Sequence, residues 1–480
     1  MKIVLIAPSY AEIYGSFRSA LKVGFLNPPL GLCYLAACLQ KEGHEVKIID
    51  AEAQNCNLED ILRQTKAQAP GLVGITATSP EFANAALIAK ALKDTLDVPI
   101  AIGGAHLSIS GEEILRENPC FDFGVAGEAE QTISELVSAL EADNKDYSGI
   151  RGLIYRLENR ALRTDPREPP DDLDAIPFPS RSLLDNRKYF RSIPKKGYVT
   201  TTAFVSSRGC PYHCIYCAID RIPGANRIRY RSPENVLEEI ELIVNGMGIR
   251  HISFSDDILT LNKARIFKIC EGIIKRRLKF TWEGLSRADA VDEELLSIMK
   301  RAGFVRISFG IESGSPEILK MIRKNETHEQ IRRAFRLARK AGIIARGSII
   351  IGLPYENKGK VEETVRFIKQ LYGLDQIFVN ICTPYPGTKL REMILSGEGG
   401  SRLIDRDISA LRRFGNAVIE VNDLTKNDLI NLQKKILLLF YFHPGKILHS
   451  LSTYELKAFF QDGLNFILSL LNNDKAKTGI

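Results

Sequence analysis

Much of what this chain could be is excluded by what it lacks. No run approaches the ~20 apolar residues that span a bilayer, so a membrane-spanning protein is not expected. The opening MKIVLIAPSY has one lysine and a short apolar run, too little for a secretion signal, and it reads as a first buried strand. There is no basic tail, and the net charge of +7 is modest and spread along 480 residues. That pattern describes a solvated basic surface rather than a nucleic-acid partner. Only one C-x2-C pair occurs, whereas a structural zinc site is usually closed by two separated pairs. Six of the nine cysteines (Cys33, Cys38, Cys56, Cys120, Cys270 and Cys382) have no regular spacing. They read as small core residues in a reducing cytosol, and a cytoplasmic protein is expected.

The chain is too long for one ordinary core, which predicts two large domains with a smaller third. Short apolar runs at 2–7, 45–49, 72–75, 99–102 and 122–125 alternate with helix-length segments at 30–42, 58–66, 83–96, 112–118 and 130–140. This spacing predicts an α/β domain over 1–148, a doubly wound parallel sheet of five strands. A hairpin over 150–164 and a proline-rich stretch over 165–181 make a linker region, 149–195. From 196 to 395 alternation resumes, with strands near 201–206, 251–254, 280–283, 305–309, 347–351 and 376–381. Six strands are too few for a closed eight-fold barrel, so an open (β/α)6 partial barrel is expected. Residues 396–480 read as a helical C-terminal region, with apolar segments at 436–442 and 459–471.

The densest chemistry lies at 206–220, SSRGCPYHCIYCAID, where Cys210, Cys214 and Cys217 form a C-x3-C-x2-C array. Thiolates so close can converge on zinc, copper(I) or an iron–sulfur centre. With no second pair, a four-iron cluster held by three cysteines fits better than zinc, and it leaves one iron open to a small molecule. His213 could add a ligand but reads as part of the loop.

This array, with Tyr216 before its last cysteine, resembles the cluster loop of the radical S-adenosylmethionine (SAM) superfamily. Ser207-Arg208-Gly209 and Pro211-Tyr212 resemble its cobalamin-associated branch. The resemblance implies that the three cysteines hold a 4Fe-4S cluster whose open iron chelates SAM, and that reduction of the cluster cleaves SAM to a 5′-deoxyadenosyl radical. Pro28-Pro29-Leu30-Gly31 and the loops after the third, fourth and fifth strands resemble that branch's cobalamin-binding domain. Those loops carry Thr76, Thr78, Ser79, Gly103, Gly104, His106, Gly127 and Glu128 as candidate cofactor contacts. The D-x-H-x-x-G motif is absent, so no histidine is expected below cobalt, with His106 kept as a candidate. LDAIPFPSR (173–181) resembles the branch's connector. Tyr216, Arg287 and Glu312 stand at positions that imply SAM contacts, Arg287 to its carboxylate and Glu312 to its ribose or amino group. GLPYE (352–356) departs from the branch's GLPGE at Tyr355, whose backbone is expected to prefer negative φ.

The implied activity is methylation of an unactivated carbon of a small molecule or lipid, with an electron donor such as flavodoxin or ferredoxin. Two alternatives stay open: cyclisation, oxidation or rearrangement with the same cofactors, as in anaerobic porphyrin cyclases, and a metal-stabilised binding protein without turnover.

Overall fold

The computed structural model describes residues 1–10, 26–158 and 160–445. The apolar segment expected at 459–471 lies outside them. Nine of the strands place the first domain and the entry to the second: β1 (Lys2–Ala7), β2 (Glu45–Asp50), β3 (Leu72–Thr76), β4 (Ile100–Gly103), β5 (Phe123–Val125), β6 (Leu153–Leu157), β7 (Arg160–Arg163), β8 (Phe190–Ile193) and β9 (Gly197–Phe204). Then come β10 (Ser207–Arg208), β11 (Arg229–Tyr230), β12 (His251–Phe254), β13 (Thr281–Ser286), β14 (Phe304–Glu312), β15 (Ile344–Ile351), β16 (Leu374–Ile381), β17 (Ser401–Leu403) and β18 (Ile419–Val421).

The first sheet runs β2-β1-β3-β4-β5-β6-β7. Its five expected strands are parallel, and each is buried on both faces because helices cover both sides. The expected hairpin is not part of a linker. Its strand β6 pairs antiparallel with β5 and closes that edge of the sheet. The order reverses between β1 and β3, the point in such sheets where ligands sit beyond the carboxyl ends of the strands.

The second sheet runs β16-β15-β14-β13-β12-β9-β8. The six expected barrel strands are parallel, and β8 adds one antiparallel edge strand. Across the helix-facing side, Phe204, Phe254, Trp282 and Phe304 stack in succession, with ring centroids 4.7, 5.1 and 4.5 Å apart. The single tryptophan is fully buried there, and its indole N–H donates to Ala302 O at 2.9 Å.

The proline-rich stretch is irregular, as expected, but it is anchored. Buried Arg181 pairs with Glu239, which is wholly enclosed, and donates to Thr202 Oγ1 at 3.1 Å and Ala203 O at 2.9 Å. The C-terminal helix Lys426–Tyr441 buries Leu429, Ile436 and Leu437 and leaves Leu438 and Leu439 exposed. Among the described residues, no helix is long and apolar enough to cross a membrane.

Candidate functional site

Strand β9 ends at Phe204, and the chain enters the cysteine loop through two buried serines. Ser206 donates to the Asp256 carboxylate through its backbone N–H at 3.1 Å and its hydroxyl at 2.6 Å. Ser207 Oγ donates to the same carboxylate. Asp256, at the end of β12, is therefore a fastener of the loop. The two-residue strands β10 and β11 then pair antiparallel as a neck that closes the loop between them. Gly209 lies just inside the neck at φ +99°, where a Cβ would stand 2.3 Å from Arg227 O and 2.9 Å from Ala225 O. Only glycine fits so close an approach. The next residue, Cys210, donates its N–H to Ala225 O at 2.9 Å. Further along, buried Ile215 ties the loop to the barrel through backbone bonds to Ile322 O and from Leu390 N.

Cys210, Cys214 and Cys217 project from this loop as free thiols. Among the described residues no group of three or more His, Cys, Asp or Glu closes around a single ion. The donor set nonetheless fits a cluster, in which each thiolate takes a different iron. Loss of solvent, then Asp257 and then Cys214, push the thiols of Cys210 and Cys217 up, the latter to about 11. The three sulfurs thus feel one another's charge, and metal loading would displace their protons.

Beneath the loop lies a buried ionic network. Tyr216 Oη donates to Glu312 Oε1 at 3.1 Å, Lys324 Nζ lies 3.7 Å from Glu312 and 3.2 Å from Glu326, and Arg287 lies 3.9 Å from Glu326. Glu312 sits at a break in the β14–β15 register and at φ +60°, a region costly for a side chain with a Cβ. Gly310 leaves the space for it, since a Cβ there would meet Glu312 Oε1 and Lys324 Nζ. Burial pushes the Glu312 carboxyl up while Lys324 pulls it down. Burial alone would lower Lys324, but Glu312 and Glu326 hold it above the usual lysine range.

Tyr216 and Glu312 are thus brought together beneath the loop. Arg287 is placed differently from the expected role. Its guanidinium pairs bidentately with Asp289 at 2.9 and 2.8 Å, donates to Lys324 O at 3.0 Å and lies 3.8 Å from the centre of the Tyr212 ring. It braces the loop rather than offering an open fork to a ligand carboxylate. Lys324 and Glu326 were not legible, because RKNETH between two helices reads as ordinary surface charge.

In the first domain the loops after β3 and β4 press together. Gly104, at φ +98°, has no room for a Cβ against Thr76 Oγ1 and the backbone of Ala77. Gly103 sits beside Val125 O across the β4–β5 ladder. Thr78 caps the short turn Ser79–Glu81, its N–H bonding Glu81 at 2.8 Å, so it is spent on structure. Ser79 Oγ lies 3.1 Å from His106 Nδ1, and the buried imidazole packs 4.7 Å from the Phe82 ring. Burial lowers His106 to about 4, so it is neutral at pH 7, and its buried Nε2 has no hydrogen-bond partner among the described residues. Gly127, at φ +77°, has no atom of the described residues within 4 Å of where a Cβ would stand, the kind of cradle a flat ligand fills. Glu128 is not open to a cofactor: it is held by Arg208 at 2.7 Å and by Arg229 at 3.2 Å.

The loop after β15 corrects one expectation and carries a titration. Tyr355 adopts φ +66°, not the negative φ anticipated for a residue in place of glycine. Glu356, fully buried, accepts the backbone N–H of Gly352 and, at 3.1 Å, of Leu353. Burial pushes its carboxyl up from 4.5 to about 8 despite those amides. An acid raised on folding keeps its proton where the unfolded chain has lost it, so stability falls as pH rises through that window. Glu356→Gln keeps an acceptor for both amides and removes the titration. Melting measured from about pH 5 to about 8 is expected to decline in the parent chain and much less in the variant. Equal slopes would assign the decline to other groups.

Residues 204–368 match the Radical SAM superfamily, and residues 19–137 match the B12 binding domain. An uncharacterized methyltransferase of Pyrococcus horikoshii is 37% identical over 92% of this chain and 93% of its own. An anaerobic magnesium-protoporphyrin IX monomethyl ester cyclase of Synechocystis is 30% identical over 75% of this chain and 72% of its own. Two solved structures share the fold. The methyltransferase TsrM of Kitasatospora setae, with cobalamin and a [4Fe-4S] cluster bound, gives a TM-score of 0.70 at 19% identity over 92% of this chain and 89% of that one. The cobalamin-dependent radical enzyme OxsB, with aqua-cobalamin and S-adenosylmethionine bound, gives 0.75 at 19% over 98% and 71%.

Proposed function

This chain belongs to the cobalamin-dependent radical SAM enzymes, and on that footing we propose that it methylates an unactivated carbon of a small molecule or lipid. When bound, the 4Fe-4S cluster supplies the electron that splits SAM to methionine and a 5′-deoxyadenosyl radical, and cobalamin supplies the methyl group. In this reading Cys210, Cys214 and Cys217 hold the cluster, and Tyr216 with Glu312 orients what binds beside it. Thr76, Ser79, Gly103, Gly104, His106 and Gly127 form the wall offered to cobalamin. His106, neutral and buried, serves there by packing.

The lumen of the barrel is the place for substrate. Along β15 the residues Ala345, Ile349 and Ile351 face the helices, so the alternate half-buried Arg346, Ser348 and Ile350 face inward. Asn380 of β16 joins them and donates to Ser348 Oγ at 2.9 Å. Walls of this kind exclude water and hold a reacting carbon near the radical that attacks it. The reading places the enzyme in the cytoplasm with a one-electron donor such as flavodoxin or ferredoxin.

The observation that favours methylation over cyclisation is the near full-length likeness to a methyltransferase, where the likeness to cyclases covers about 70% of those chains. The two outcomes differ in their SAM products. Methyl transfer is expected to yield S-adenosylhomocysteine and 5′-deoxyadenosine in roughly equal amounts. Deoxyadenosine without homocysteine product would sink methylation and support the cyclase-type reaction.

A further inference from the structure

We propose that Glu128 is a positioning residue that couples occupancy of the first domain to the geometry of the cysteine loop. The inference rests on the assignment of Cys210, Cys214 and Cys217 as cluster ligands. Arg208 and Arg229 face each other in register on β10 and β11, one on each side of the neck. The Glu128 carboxylate takes both. Oε2 accepts from Arg208 Nη1 at 2.7 Å and Arg229 Nη1 at 3.2 Å, and Oε1 accepts from Arg229 Nη2. Glu130 Oε1 accepts from Arg208 Nη2 at 2.6 Å, so two acids balance two guanidinium groups. The Arg208 guanidinium also lies 5.1 Å from the Tyr34 ring, on the helix Leu30–Lys41 of the first domain.

These contacts are strong because they are shielded. The Arg229 side chain is 4% exposed and that of Glu128 17%, and charge-assisted bonds in such surroundings are little screened. Burial alone would raise Glu128, yet the two arginines hold it below the usual carboxylate range.

The neighbours of Glu128 give the clamp two ends. On one side stands Gly127, with no atom of the described residues within 4 Å of where a Cβ would be and an N–H donated to Ser108 Oγ at 2.9 Å. It lies beyond β5, at the edge of the sheet where ligands of such folds settle. On the other side the neck carries Gly209 and the Cys210 N–Ala225 O bond, which set where the loop begins and ends. A ligand resting on Gly127 fixes Glu128 one peptide away, and Glu128 fixes both strands of the neck. Energetic coupling of this kind is reciprocal, so a loaded cysteine loop must tighten cobalamin binding by the same factor.

The test is a titration with hydroxocobalamin, followed by absorbance, of the full chain with and without prior anaerobic iron–sulfur reconstitution. The reconstituted parent chain is expected to bind about tenfold more tightly than the iron-free chain. In Glu128→Gln, which keeps shape and loses charge, the two dissociation constants are expected to agree within about twofold. Arg229→Lys keeps a cation on β11 but cannot take both carboxylate oxygens of Glu128, and it should retain only part of the gain; it serves as the test if Glu128→Gln does not fold. Equal constants for the two parent forms, an undiminished gain in Glu128→Gln, or an undiminished gain in Arg229→Lys where it stands in, would overturn the coupling. A parent chain that takes up no iron would instead overturn the cysteine assignment, and this inference with it.

Discussion

Cys214→Ala is expected to abolish both cluster assembly and reductive cleavage of SAM while the chain still binds cobalamin. With two thiolates left of three, one iron of the cluster loses its protein ligand, and with no cluster the chain has no route for an electron to SAM. The substitution itself is small and sits on a loop pinned by Ile215 and by the neck rather than by the thiol. The first domain has its own two apolar cores, one on each face of its sheet, which do not depend on that loop. Iron and sulfide analysis, electron paramagnetic resonance with and without SAM, and hydroxocobalamin titration give the three readouts. The affinity for hydroxocobalamin should equal that of the iron-free parent chain. Full iron content in the variant would show that these cysteines are not the ligands.

Lys324→Met is expected to cost about 3–5 kcal/mol of stability, because it leaves the buried Glu312 carboxylate without its cation. Among the described residues Lys324 is the one cation paired with Glu312, and it also lies 3.2 Å from Glu326, whose side chain is wholly enclosed. The loss should depend on pH in a definite sense. Burial already raises Glu312 on folding, and without Lys324 it rises further. A group raised in this way gives stability at acid pH and loses it as pH climbs through the folded value. The variant should therefore be closest to the parent chain near pH 5 and furthest from it near pH 8. Trp282, the chain's one tryptophan, lies in the barrel core, so its fluorescence during denaturation follows this domain directly. A loss that does not change with pH would mean that packing of the lysine stem, not charge, is what the variant removes.

The strands and helices of both domains were legible because each buries a continuous apolar run or an amphipathic face, and that periodicity is local. The cysteine triplet was legible for the same reason: its spacing lies within one short loop. What stayed hidden depends on distant pairing. Arg208 is one residue of a motif, and only the folded chain shows that it and Arg229 both reach Glu128. The same holds for Arg287, which reaches Lys324 O and the Tyr212 ring, and for Lys324, which looks solvent-exposed until it is seen beside Glu312 of β14. Tyr355 went wrong for a different reason. Left-handed backbone is unfavourable for tyrosine, but its N–H bonds Gly399 O at 2.8 Å and its hydroxyl bonds Glu398, so tertiary contacts outweigh local preference.

The β6–β7 hairpin bears on how relatives can exchange modules. A hybrid joined at residue 148, before β6, would leave β5 as the sheet's outer strand with an unpaired row of backbone donors and acceptors. Such an edge invites intermolecular strand pairing, so the fragment would come out of the transplant adhesive. The transferable unit extends at least through Arg163. Since Glu128, before the proline-rich stretch, holds Arg208 and Arg229, after it, a junction placed in that stretch has to carry a matched set across it. Recombination between family members would then preserve not a domain border but a co-inherited arginine and glutamate on its two sides.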